Sequence, residues 1–129
     1  MKRSEMREQA FLLTFEGLFS SGEDIDEVIE LYSENVEVVS KYAKDIFTGV
    51  KANKDEFNEI INKYSKSWKV TRLPKVTVAI LYVALYEMKN VEDVADSIAI
   101  NEAVELAKKY ASSADASYIN GILGAVARG

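Results

Sequence analysis

An all-α fold is the expectation, and three observations carry it. Apolar residues recur at the three- and four-residue spacing of a helix face through most of the chain. Ala, Leu, Glu and Lys, all good helix formers, dominate those periodic stretches. Six glycines and one proline are too few to punctuate a many-stranded β protein. The 129 residues are 48% apolar and suit one domain, 1–129, that buries roughly two thirds of its unfolded surface. About seven helices with short connections should close into a compact bundle.

The elements follow in order. Ser4 can cap a first helix running to about Ser20, with Phe11, Phe15, Leu18 and Phe19 as its apolar stripe. A short acidic helix is expected near Asp24 to Tyr32. Ser33 then opens a segment in which Val36, Val39, Tyr42, Ala43, Ile46 and Phe47 hold helical spacing. Asn53-Lys-Asp55 offers a break or a new cap before Phe57, Ile60, Ile61 and Tyr64 resume the pattern. Pro74 ends the turn before it or supplies the first turn of the next helix, because it lacks an amide hydrogen and fixes φ. Lys75 to Lys89, apolar on nearly every side, is the expected centre of the fold. Asp93 is the expected cap of the helix reaching Tyr110, and Ser112-Ser-Ala-Asp115 has the form of a capping box opening the last one. In that last helix Asn120-Gly121 would favour a hairpin by itself, but Ile119, Ile122, Leu123 and Val126 trace one helical face. Gly121 is then expected where another backbone passes closely.

Composition narrows the chemistry. Zero cysteines exclude disulfides and thiolate metal sites, and zero histidines remove the commonest general base and metal ligand. Glu102 and Glu105 are three apart, yet the Glu-x-x-His pattern of diiron bundles cannot be built without histidine. Neither a metal nor a cofactor is expected. The longest apolar run, Val76 to Tyr86, is about half the length of a membrane helix. No secretory signal is legible at the N-terminus, so a cytoplasmic protein without membrane attachment is expected.

Charge is unevenly spread. Eight acids and no base lie between Glu16 and Glu37, so with a net charge of −5 the rest of the chain carries three net positive charges. Between Ile60 and Tyr86 stand Lys63, Lys66, Lys69, Arg72 and Lys75, and no acid. Two readings fit them: solvated lysines near helix ends, or, with Tyr64 and Trp68 interleaved, a surface for nucleic acid or an acidic partner. Trp68 itself fits a core or groove-filling role, with base stacking the alternative. Asn101 fits a hydrogen-bonder between helices. Arg3 and Arg7 are one helical turn apart, with Lys2 beside them, a geometry that can clamp successive phosphates or merely open an exposed helix.

Several blocks in order resemble one family. They are Arg3-x-x-x-Arg7, Trp68-x-x-x-Arg72-Leu73-x-x-Val76, Ala79-Ile-Leu81 and Ala84-Leu-Tyr-Glu87, then Asn101-Glu-Ala-Val-Glu-Leu-Ala-Lys-Lys109 and Tyr118-Ile-Asn-Gly-Ile-Leu123. Together they are similar to the transcription antitermination factor NusB family, strongly from Trp68 onward and weakly between Gly22 and Ser67. The resemblance implies a bundle of two packed helical sub-bundles. It implies binding of single-stranded boxA RNA through the first helix, by Lys2, Arg3 and Arg7. It also implies pairing with NusE, a ribosomal protein, whose contacts it places around Thr71, Thr77 and Glu87, and an indirect link to elongating RNA polymerase.

This chain departs from the family pattern at named positions. Ser4 and Glu5 stand where more arginines are usual; Thr77-Val78 replace an acid and a base; Tyr82, Ala95 and Ser117 replace arginine, proline and lysine. The loop Ala111 to Asp115, which in the family approaches RNA, keeps small polar residues. A protein-only adaptor that has lost RNA binding is therefore the rival reading. An RNA-binding module of a methyltransferase is another, although no glycine-rich cofactor loop or catalytic cysteine occurs and no catalysis is expected. A second copy of the chain is a further candidate partner.

Overall fold

The structure, a computed structural model, describes residues 1–19, 27, 29–30 and 38–129. Among them are six α-helices: α1 (Arg3–Phe19), α2 (Lys41–Ala52), α3 (Lys54–Tyr64), α4 (Lys75–Asn90), α5 (Asp96–Tyr110) and α6 (Ser113–Arg128). A 3-10 turn, Val70–Arg72, precedes α4. No strand occurs among the described residues, in agreement with the expected class. Of the expected acidic helix only Glu27, Ile29 and Glu30 are described, and they are helical; Ser20, the rest of that helix, Ser33 and Val36 lie outside the described residues.

The central element is the apolar helix α4, because a helix apolar on nearly every side must be covered all round by other helices. Residues 77 to 85 of α4 are buried without a break, and Glu87 with them. α4 packs against each of the other five helices, α1 pairs with α2, and α5 pairs with α6. Phe11, Ile46, Phe57, Ile61, Ile80, Leu81, Leu85, Ile119 and Leu123 close the core, each at most 1% exposed. At roughly 1.5–3 kcal/mol per fully buried side chain of this size, these residues dominate the stability. No helix among the described residues is long and apolar enough to cross a membrane.

Caps follow the sequence in some places and not in others. Ser112 caps α6, its hydroxyl accepting from the Asp115 amide at 3.1 Å and donating to the Asp115 carboxylate at 2.7 Å. Asn53 both ends α2 and precedes α3, its side-chain amide donating to the Gly49 carbonyl at 2.8 Å. Pro74 directly precedes α4. Ser40 caps α2 through the Ala43 amide, so the helix opens seven residues beyond Ser33. Ser4 caps nothing: α1 already begins at Arg3, and the Glu5 carboxylate reaches back to the Lys2 amide at 3.2 Å. Asp93 caps nothing either, since α5 begins at Asp96 after Ala95 and its carboxylate is taken by Arg3.

Glycine use also differs from expectation. A Cβ on Gly121 would meet nothing within 4 Å, because Ile119, Ile122 and Leu123 turn inward and leave residue 121 exposed. The close approach belongs to Gly49 of α2, where a Cβ would lie 2.1 Å from the Tyr86 ring of α4.

Candidate nucleic-acid interface

The start of α1 is built from two layers. Its inward face runs Arg7, Phe11 and the half-buried Phe15 at intervals of four, so Arg7 continues the apolar stripe toward the N-terminus instead of standing opposite it. Gln9, 1% exposed, fastens α1 to the entry of α2: its amide donates to the Val38 carbonyl at 2.9 Å and its oxygen accepts from the Ser40 amide at 3.0 Å. That attachment brings Tyr42 of α2 beside Glu87 of α4. The Tyr42 hydroxyl donates to one oxygen of Glu87, and the Arg7 Nε donates to the other at 2.7 Å. A third carboxylate contact, Glu102 of α5, lies 3.4 Å from the Arg7 Nη1.

The expected positions of three site residues are corrected by this arrangement. Arg7 is not a surface cation: its side chain is 4% exposed and its charge is committed to Glu87 and Glu102. Glu87 is fully buried, because an acid placed in an apolar helix must find a buried base and a hydroxyl. Thr77 is fully buried too, so neither it nor Glu87 presents its side chain to a docking partner. Thr71 stays exposed on the 3-10 turn.

Burial opposes the Arg7 charge, but the bonds and field of Glu87, with help from Glu102, outweigh it and hold the guanidinium above its usual pKa. Burial first, and then the bond to Glu87, push the Tyr42 phenol up to about 12. The phenol therefore stays protonated and remains a donor throughout the physiological range.

Lys2 and Arg3 form the outer layer. Both are exposed, and the Arg3 guanidinium lies over the Tyr42 ring, 4.3 Å from its centre, with Asp93 at 3.3 Å. The Arg3 and Asp93 side chains are 40% and 72% exposed, so this ion pair is of the weak kind, about 0–1 kcal/mol. An incoming phosphate can displace Asp93 at little cost. The Arg3 side chain would keep its aromatic support.

Beyond the helix end the electrostatics change sign. Between α1 and α5 lies a groove of about 320 Å³ lined by Ser4, Glu5, Arg7, Glu8, Glu102, Glu105, Leu106 and Lys109. Four carboxylates face two cations there, one of them buried, which disfavours a phosphate chain. Glu8 is held below its usual pKa, since burial is outweighed by the Lys109 ammonium at 2.6 Å and the Tyr110 hydroxyl at 2.8 Å. A second groove, about 580 Å³ between α5 and α6, brings together Asn101, Asn120, Ser97, Ser113 and Ser117 with Lys108. Asn101 is thus exposed and does not tie helices together, contrary to expectation. Trp68 is not a core residue either; it is 56% exposed.

The NusB family model matches residues 4–128. The chain belongs to the NusB family. Among NusB relatives, the transcription antitermination protein NusB of Acetivibrio thermocellus is 45% identical over 109 residues, 84% of this chain and 74% of that one. Its counterpart in Clostridium botulinum strain Kyoto is 37% identical over 141 residues, 96% of this chain and 98% of that one. The structure of T. maritima NusB matches with a TM-score of 0.87 at 30% identity, covering 99% of this chain and 92% of that one. A structure of the antitermination factors NusB and NusE in complex with dsRNA matches with a TM-score of 0.84 at 25% identity, covering 99% and 98%.

Tyr42 and Gln9 were not singled out from sequence as parts of this site. A signal for the buried pair did exist, in the register of Arg7 with Phe11 and Phe15 and in a lone Glu87 closing an apolar helix.

Proposed function

We propose that this chain is a non-catalytic, RNA-binding transcription antitermination factor. As one domain it would join NusE on boxA RNA and favour elongation through ribosomal RNA operons, in the cytoplasm, with RNA polymerase reached indirectly. The observation that carries this reading is family membership over residues 4–128, together with a structural relative described in complex with NusE and RNA. Lys2 and Arg3 are the residues proposed to touch phosphate, because they are exposed and Asp93 is easily displaced. Arg7 would act from inside, fixing through Glu87 and Tyr42 the platform on which Arg3 rests. The protein partner is proposed to meet the exposed 3-10 turn at Thr71 and the exposed Lys75 that opens α4.

The test is binding of boxA and scrambled RNA with and without NusE. Selective binding of boxA that tightens when NusE is added supports the reading; equal affinity for both sequences, unaffected by NusE, refutes it. A second reading, a protein-only adaptor, is favoured by the burial of Arg7, which leaves only two exposed cations among residues 1–9. NusE binding without any boxA preference would select it.

A further inference from the structure

We propose that the turn carrying Trp68 is a second contact surface for single-stranded RNA, a proposal that rests on the RNA-binding reading above. Trp68 is the only tryptophan of the chain, and it is 56% exposed in a protein with ample core to receive it. Its turn is anchored on both sides. The Ser65 hydroxyl donates to the Trp68 carbonyl and is bonded to the Tyr118 hydroxyl of α6, while the Val70 amide donates to Asn62 of α3 at 2.8 Å. The backbone is therefore pinned with the indole outside.

Cations surround it. Lys69 is adjacent and Lys66 two residues away, which keeps their Cα atoms within about 7 Å of that of Trp68. Lys63, Arg72 and Lys75 are exposed in the same stretch, and no acid occurs from Ile60 to Tyr86. Among the described residues no carboxylate pairs with Lys66, Lys69 or Arg72.

An exposed indole flanked by unpaired cations matches the chemistry of single strands, in which bases stack on aromatic rings while phosphates meet Lys and Arg. An acidic peptide would use the cations but gain little from the ring, and a paired duplex hides its base faces. The surface is separate from Lys2 and Arg3. Lys75, at the exit of the turn, reaches the Leu18 carbonyl near the far end of α1 at 3.3 Å, and Arg3 to Leu18 spans about 22 Å of helix.

The single tryptophan makes the test direct. Fluorescence of the full chain is followed during titration with a 12-nucleotide single-stranded RNA carrying boxA, and affinity is measured in parallel by filter binding for wild type, Trp68→Ala, Lys66→Ala/Lys69→Ala and Arg3→Ala. The proposal expects saturable quenching, an affinity loss of about tenfold for Trp68→Ala, and a log–log salt slope shallower by about 1.4 for the lysine pair. RNA bound with sensitivity to Arg3→Ala but with unchanged indole emission would overturn the proposal and leave the proposed function standing. Absence of any RNA binding, even with NusE, would defeat both. Polyglutamate of equal charge displacing RNA from the indole as well as RNA itself does would assign the turn to an acidic protein and overturn the proposal.

Discussion

Removing the Arg7 guanidinium is the sharpest perturbation available, because it separates an internal strut from a surface ligand. In Arg7→Met the Glu87 carboxylate keeps the Tyr42 hydroxyl but loses the base 2.7 Å away, and no solvent reaches it, since Glu87 is fully buried. Breaking one side of a buried ion pair costs about 3–5 kcal/mol, chiefly through the charge left behind. A surface cation would cost within about 0.5 kcal/mol. Against a total of about 5–15 kcal/mol for an ordinary domain, the strut is a large fraction of the stability. Arg7→Lys should recover part of the loss, since one ammonium cannot reach Glu87 and Glu102 as the planar fork does. The double variant Arg7→Met/Glu87→Leu should recover more, because it removes both charges together. Urea unfolding monitored by circular dichroism reads all four proteins. A loss below about 1 kcal/mol for Arg7→Met, with no recovery in the double variant, would refute the buried-strut reasoning.

Three further outcomes follow from the same geometry. Asp93→Asn should tighten RNA binding by about two- to fivefold at low salt, the equivalent of up to about 1 kcal/mol from an exposed pair that no longer competes for Arg3; unchanged affinity in filter binding would count against Arg3 as the contact. Gly49→Ala should destabilise by about 1–3 kcal/mol because its methyl meets the Tyr86 ring, whereas Gly121→Ala should stabilise by up to about 1 kcal/mol, a contrast read from thermal melts of the two variants. Because the Glu8 pKa is lowered on folding, its ion pair adds stability above the ordinary carboxylate range and loses it as pH falls through the folded value. The melting temperature of Glu8→Gln should therefore lie below that of wild type at pH 7, with the gap closing as pH falls below the ordinary glutamate value of 4.5; a gap unchanged throughout the acid range would contradict the assignment.

Much of the architecture was legible because it depends on local chemistry. The buried α4, the break at Asn53, the place of Pro74 and the Ser112–Asp115 cap each follow from spacing or from one residue's backbone preference. What escaped depends on partners distant in sequence. Arg7 finds Glu87 eighty residues away, and Asp93 leaves its expected capping role for Arg3 ninety residues away. Spacing showed that Arg3 and Arg7 share a helix turn, but not that α4 and α5 cover one of them. Gly121 was expected at a close approach that belongs to Gly49 for the same reason, since only the packing of α2 on α4 reveals where a Cβ has no room. Trp68 follows the same logic in reverse: its size argues for burial, and the bonds of Ser65 and Asn62 hold its turn outside.

The salt dependence of boxA RNA binding in the presence of NusE, compared between wild type and Lys2→Ala/Arg3→Ala, bears most directly on the claim that the open end of α1 grips RNA. Two lost phosphate contacts should flatten the log–log slope by about 1.4 while the unfolding transition stays essentially in place. An unchanged slope and affinity, with the fold intact, would contradict the account.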